Sequence, residues 1–158
     1  MRWGTYSAVC LAVISIGLAM GVTLPLVSLR LEDWGYGNFA IGFMAATPAL
    51  GVLFGASITG RLAARFGTTA LMQASLLVGA VSVGLLALLQ NYALWLLLRL
   101  LIGMALTVVF ILGESWINQL VVDAWRGRLV ALYGTGYAIS QLSGPLLLSV
   151  IGVEGDQG

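Results

Sequence analysis

Five long apolar runs, separated by short polar or turn-rich segments, organise this chain. A helix needs about 20 consecutive, mostly apolar residues to cross a bilayer. No residue between Arg2 and Arg30 is charged, which predicts a first span over 5–29. A polar segment over 31–38 (Glu32, Asp33, Gly35, Gly37, Asn38) precedes a second span over 39–59. A short charged loop is expected over 60–68, then a third span over 69–89. Gln90, Asn91 and Tyr92 mark a tight turn, and Tyr92 and Trp95 suit a membrane interface. The fourth span is expected over 93–118 and contains Arg99 and Glu114; a loop with Asp123, Trp125, Arg126 and Arg128 leads to a fifth over 129–152. Residues 153–158 form a short polar tail. Continuous runs of this length favour helices over a barrel, whose strands alternate over about ten residues. A cleaved leader is the competing reading of the first run, since Arg2 precedes it, but an h-region is only about 7–15 residues. Pro25, Pro48 and Pro145 fall inside spans, as structural kinks or as pivots.

The arginines orient this topology. Arg2, Arg61, Arg65, Arg126 and Arg128 fall on one side, and Arg30 on the other. The positive-inside rule then predicts a cytoplasmic N-terminus and an external C-terminal tail, most naturally in a bacterial inner (plasma) membrane.

Composition narrows the function classes. The chain has 158 residues, 60% apolar and only 8% charged, against about 25% charged in soluble domains, so the lipid bilayer is its expected partner. Acidic and basic residues nearly cancel, which gives no reason to expect a nucleic-acid partner. All seven basic residues are arginines and histidine is absent, so His-dependent triads and His-ligated zinc are excluded. One cysteine, Cys10, forms neither an internal disulfide nor a thiolate cluster. No metal, no cofactor and no enzymatic activity are expected, since no GxSxG or GxxxxGK[ST] occurs.

Arg99 is the most informative residue. It lies about 9 Å along the axis from the outer end of its span. It either snorkels to the outer interface or faces an interior cavity, where it binds an anion or governs a carboxylate's protonation. Glu114 lies fifteen residues further, about 22 Å along the helix and roughly 60° around it. It is expected either in an ion pair with Arg61, Arg65, Arg126 or Arg128, or as a proton carrier. Tyr137, Ser140 and Gln141 give the fifth span a polar stripe; Thr107, Ser15 and Thr23 lie on other spans. Such groups line a polar cavity or hydrogen-bond between helices. The pairs Gly17/Gly21 and Gly51/Gly55 have the GxxxG spacing of close helix contact.

The run Gly60-Arg61-Leu62-Ala63-Ala64-Arg65-Phe66-Gly67 resembles the loop pattern G-x-L-a-D-r-x-G-r-k of the major facilitator superfamily. Gly60, Leu62, Arg65 and Gly67 match; Ala64 stands at the aspartate, and Thr68 and Thr69 at the basic positions. Arg99 and Gly103 resemble the family's R-x-x-x-G element, and Gly136, Gly144 and Pro145 are similar to its antiporter glycine–proline element. The resemblance implies an all-α integral membrane protein, a partial major-facilitator-type bundle of about five transmembrane helices over residues 1–152. It implies a secondary active carrier of a small molecule, by proton-coupled efflux. Arg99, Glu114, Tyr137 and Gln141 would serve substrate or coupling. Gly60, Leu62, Arg65 and Gly67 would form a gating loop, and Gly136, Gly144 and Pro145 a helix-bend motif. Protons would be a partner, with a second helical bundle or further copies completing the carrier. The alternative is a truncated, non-transporting membrane protein or an oligomerising interaction subunit.

Overall fold

The computed structural model describes residues 3–120 and 123–151, the expected polar tail lying outside them. Five helices follow in order: α1 (Trp3–Asp33), α2 (Asn38–Phe66), α3 (Thr68–Leu88), α4 (Tyr92–Leu120) and α5 (Asp123–Ile151). In α1 to α4 the chain is long and apolar enough to cross a membrane. Tyr133, Thr135, Tyr137, Ser140, Gln141 and Ser143 make α5 more polar. The protein is an integral membrane helical bundle.

Local chemistry explains the breaks. Gly35 takes a positive φ of 76° in the turn between α1 and α2. Asn91 caps α4: its side chain accepts from the Leu94 N–H at 3.2 Å, satisfying one of the first-turn donors that a helix leaves open. The expected loop over 60–68 is corrected. Residues 60–66 continue α2, and Gly67 alone separates it from α3. Arginine and alanine are good helix formers, so the polar boundary at Arg61 ends the apolar run without ending the helix. The fifth helix likewise starts before the expected 129, at Asp123.

The hairpins put Arg61, Arg65, Arg126 and Arg128, all exposed, at one end of the bundle and Arg30 at the other. The helix α4 is the axis. It packs against all four others, and 61% of its most apolar stretch is buried, against 28–33% in α1 to α3.

Two parallel crossings hold the bundle, α1 with α5 and α2 with α4. Lipid supplies little hydrophobic push between helices, so close backbone approach must supply the cohesion. At the first crossing, a Cβ on Gly21 would overlap the Gln141 carbonyl oxygen, and one on Gly144 would overlap the Gly21 backbone. At the second, a Cβ on Gly103 would overlap the Pro48 carbonyl and one on Gly51 the Leu100 carbonyl. A carbonyl oxygen facing a glycine Cα recurs at both, the geometry of a Cα–H···O contact. Pro145 contributes here: without an N–H it leaves the Gln141 carbonyl free of its usual helical donor.

Tyrosines add interhelical ties. Tyr6 donates to the Leu129 carbonyl (3.2 Å), Tyr92 to Ala40 (3.0 Å) and Tyr133 to Phe110 (3.2 Å). Two apolar clusters fill the space between helices, one around Val13, Val109 and Tyr133, the other around Met44, Leu31 and Trp95.

Replacing Gly103 or Gly144 by alanine is expected to destabilise the bundle by about 1–3 kcal/mol, since each Cβ would meet rigid backbone. Gly84, inside α3 with nothing within 4 Å of a Cβ, is the control, and Gly84→Ala is expected to be neutral or stabilising. Thermal unfolding in detergent, followed by circular dichroism, reads both.

Candidate functional site

Arg99 projects from the axial helix and is fully buried, with 0% of its surface exposed. The snorkelling alternative is therefore not the arrangement adopted. One Nη2–H donates to the carbonyl of Thr23 on α1 at 3.2 Å. The Nε and Nη1 donors are buried without a hydrogen-bond partner among the described residues. Glu32 and Asp33 are exposed, nine and ten residues beyond Thr23, about 13 Å or more along α1. An arginine within a membrane span is costly, and unmade hydrogen bonds raise the cost.

The α5 stripe meets α1 just N-terminal to this pair. The Gln141 carbonyl faces Gly21, two residues from Thr23, and its side chain is half-buried. Tyr137 is half-buried, its ring edge-on to Phe110 with centroids 5.5 Å apart. Arg99 and Gln141 thus reach neighbouring turns of α1, and Tyr137 meets Gly17 one turn closer to its N-terminus. The hydroxyls expected to line a cavity or bridge helices each bond within their own helix. Ser15 bonds the Leu11 carbonyl (2.8 Å), Thr23 that of Ala19 (2.7 Å), Thr107 that of Gly103 (2.9 Å) and Ser140 that of Tyr137 (2.7 Å). Each satisfies its donor on its own helix, the nearest acceptor in a medium without water.

Glu114 stands apart from Arg99, half-buried at the other end of α4. It follows Gly113, where a Cβ would come within 2.6 Å of the Tyr133 hydroxyl. Tyr133 is 3% exposed and is the residue that sequence reasoning missed; only its one-turn spacing from Tyr137 pointed to it. The two ends of α4 therefore present a buried cation and a half-buried carboxylate, too far apart to pair.

The residues expected to form a gating loop make the C-terminal end of α2. Gly60 and Leu62 are helical, and Arg65 is exposed with its guanidinium 5.4 Å from the Phe66 ring centroid. Gly67 has φ 84° and ψ 151°, a region open essentially to glycine. Thr68 accepts a hydrogen bond from Trp116 Nε1 at 3.3 Å, so a neutral tie to α4 stands where the family pattern has a basic residue. Of the glycine–proline element, Gly144 is locked against Gly21, whereas a Cβ on Gly136 would make ordinary contact with Ile14 at 3.6 Å.

The described residues thus form a polytopic helical bundle with a buried, partly hydrogen-bonded arginine on its axial helix. The sequence pattern of the Major Facilitator Superfamily matches residues 9–156, and the chain belongs to that family of transmembrane transporters. It is 30% identical over 133 residues to an uncharacterised MFS-type transporter of Enterobacter sp. (strain 638), covering 84% of this chain and 35% of that protein. It is 27% identical over 137 residues to the uncharacterised MFS-type transporter YcaD of Shigella flexneri (87% and 36%). It is 23% identical over 128 residues to the putative niacin/nicotinamide transporter NiaP of Bacillus subtilis (81% and 32%). The chain spans about a third of the length of these relatives.

Gly67→Ala is expected to cost about 1–3 kcal/mol through backbone strain alone, since nothing lies within 4 Å of its Cβ. Gly60→Ala, at a helical position with the same open space, is expected to leave the unfolding midpoint within a degree or two of the parent's (about 0–1 kcal/mol).

Proposed function

We propose that this bundle is the N-terminal part of a secondary active carrier that exports a small molecule in exchange for protons. The observation that carries the reading is the fully buried guanidinium of Arg99 with an open edge on the axial helix. A fixed buried cation favours the ionised form of any carboxylate brought beside it. Arg99 therefore couples proton release to the arrival of a carboxylate, and Tyr137 and Gln141 flank its place on α1. Glu114, at the inner end, takes or delivers protons on the cytoplasmic side. The rigid pairs α1/α5 and α2/α4 rock as one body against a second helical bundle, supplied by the rest of the protein or by another copy. Gly67 sets the angle at the inner end of α2, where the gate contacts form, and Pro145 sets that of α5. The membrane is the bacterial inner membrane, with the N-terminus in the cytoplasm.

Two measurements test this. The product of the whole reading frame is reconstituted in vesicles with an internal pH dye, and ethidium, benzoate and nicotinate are added in turn. Substrate-dependent proton movement is expected for the parent and its loss, by tenfold or more, for Arg99→Ala (about 1.4 kcal/mol or more of coupling). No movement with any probe, and no difference between parent and Arg99→Ala, leaves a non-transporting membrane protein as the reading. For sidedness, Arg65→Cys is made on a Cys10→Ala background. A membrane-impermeant maleimide is expected to label it in inside-out vesicles and not in intact cells; the reverse pattern overturns the orientation.

A further inference from the structure

Four exposed arginines stand at the end of the bundle where α2 finishes and α5 begins: Arg61 and Arg65 on α2, Arg126 and Arg128 on α5. Depth places them among lipid headgroups. Each of these helices has 29 residues, about 43 Å of helix, whereas the hydrocarbon core of a bilayer is about 30 Å thick. Their ends therefore pass into the headgroup layer, while α3, with 21 residues, spans little more than the hydrocarbon. Arg61 lies two residues beyond Thr59, where the apolar run of α2 ends, and Arg128 directly precedes Leu129, where that of α5 starts.

Each pair carries a local electrostatic cost. Arg61 and Arg65 are four residues apart, so two like charges share one face of α2. Arg126 and Arg128 lie near the N-terminus of α5, the positive end of the helix dipole, where a cation is disfavoured. Asp123 opens α5 one turn before Arg126, which leaves Arg61, Arg65 and Arg128 to be accounted for. None of these three has an ion-pair partner among the described residues. Glu32 and Asp33 lie at the other end of the bundle, and Glu114 is half-buried on α4. Both helix ends also pair an arginine with an exposed ring. The Arg65 guanidinium is 5.4 Å from the Phe66 ring centroid and that of Arg128 is 5.4 Å from the Trp125 ring, and the two aromatic residues are 58% and 56% exposed. Tryptophan at a helix end sits at the headgroup level of a membrane.

We infer that these two arginine–aromatic units bind anionic phospholipid of the surrounding bilayer, a phosphodiester on the guanidinium groups and the exposed ring against the lipid beside it. Charge complementarity fixes the occupant. Arginine donates charge-assisted hydrogen bonds to phosphate oxygens, and a basic cluster next to a membrane span attracts anionic lipid. A phosphate from outside offsets the like-charge pair on α2 and the arginines at the unfavourable end of α5. Both units are exposed as the five helices stand, so binding needs no movement within the bundle. Neither sidedness nor transport enters it.

The test uses the product of the whole reading frame in nanodiscs containing dibrominated phosphatidylglycerol or dibrominated phosphatidylcholine. Bromine quenches tryptophan fluorescence on contact, and the difference between the parent and Trp125→Phe isolates Trp125. Phosphatidylglycerol is expected to be preferred beside Trp125 by about fivefold or more, the contribution of one arginine near a membrane surface. Arg128→Gln is expected to lower that preference about fivefold, and Arg128→Lys to keep most of it. For α2, phosphatidylglycerol added in a neutral detergent is expected to raise the unfolding midpoint of the parent, and to raise it less in the double variant Arg61→Gln, Arg65→Gln. Arg30→Gln, at the other end of the bundle, is expected to behave as the parent in both measurements. Equal quenching by the two lipids, an unchanged preference in folded Arg128→Gln, or the same loss in Arg30→Gln overturns the inference. Inorganic phosphate that removes the preference at matched concentration identifies a free anion as the occupant and overturns it too. Separate variants probe α2 and α5, so a failure of one to fold leaves the other decisive.

Discussion

Backbone-to-backbone approach at the two glycine crossings is the constraint on which the rest of the bundle depends. In water, helices associate because their apolar faces leave solvent; in lipid the surrounding chains are as apolar as leucine, and that drive is small. Cohesion must come from contact density, and contact density needs an absent side chain. Gly21 against Gln141 and Gly144, and Gly103 against Pro48, provide it. With these two crossings made, α4 lies at the centre, and the tyrosine ties from α1, α4 and α5 have carbonyls to reach. Pro145 is then part of the contact, because the carbonyl it leaves free is the one that faces Gly21.

Placing α4 at the centre also decides the state of Arg99. On a peripheral helix a long side chain at this depth extends to the interface. On the axial helix it is enclosed, with one hydrogen bond to Thr23 and two donors unused. The tight packing that secures the bundle therefore also holds a charge that the described residues leave incompletely satisfied. The hydroxyls around it do not relieve this, since each bonded one is occupied by a carbonyl of its own helix.

Much of this was legible in the sequence. The apolar runs and the sidedness of the arginines follow from the cost of exposing charge to lipid, which acts residue by residue. The GxxxG pairs announced close contact, and Arg99 stood out as a charge inside a span. The partners did not: nothing local states that Gly21 meets Gln141 or that Gly51 meets Leu100, because those residues are far apart in the chain. Gly60 to Phe66 read as a loop because polarity changes there, whereas hydrogen bonding carries the helix on to Gly67. Tyr133 was signalled only by its one-turn spacing from Tyr137, and the Trp116–Thr68 tie not at all, since a tryptophan near a helix end is ordinary in membrane proteins.

What the sequence by itself determined is the medium and the elements: helices in lipid, the polar turn around Gly35, and the presence of one arginine within a span. Whether that arginine reaches the bundle surface or is enclosed, and which carbonyl it meets, were decided only when the other helices closed around α4. The reason is physical. Hydropathy and backbone preference belong to single residues and their near neighbours, whereas burial, hydrogen-bond partners and voids belong to surfaces that only meet in the folded bundle.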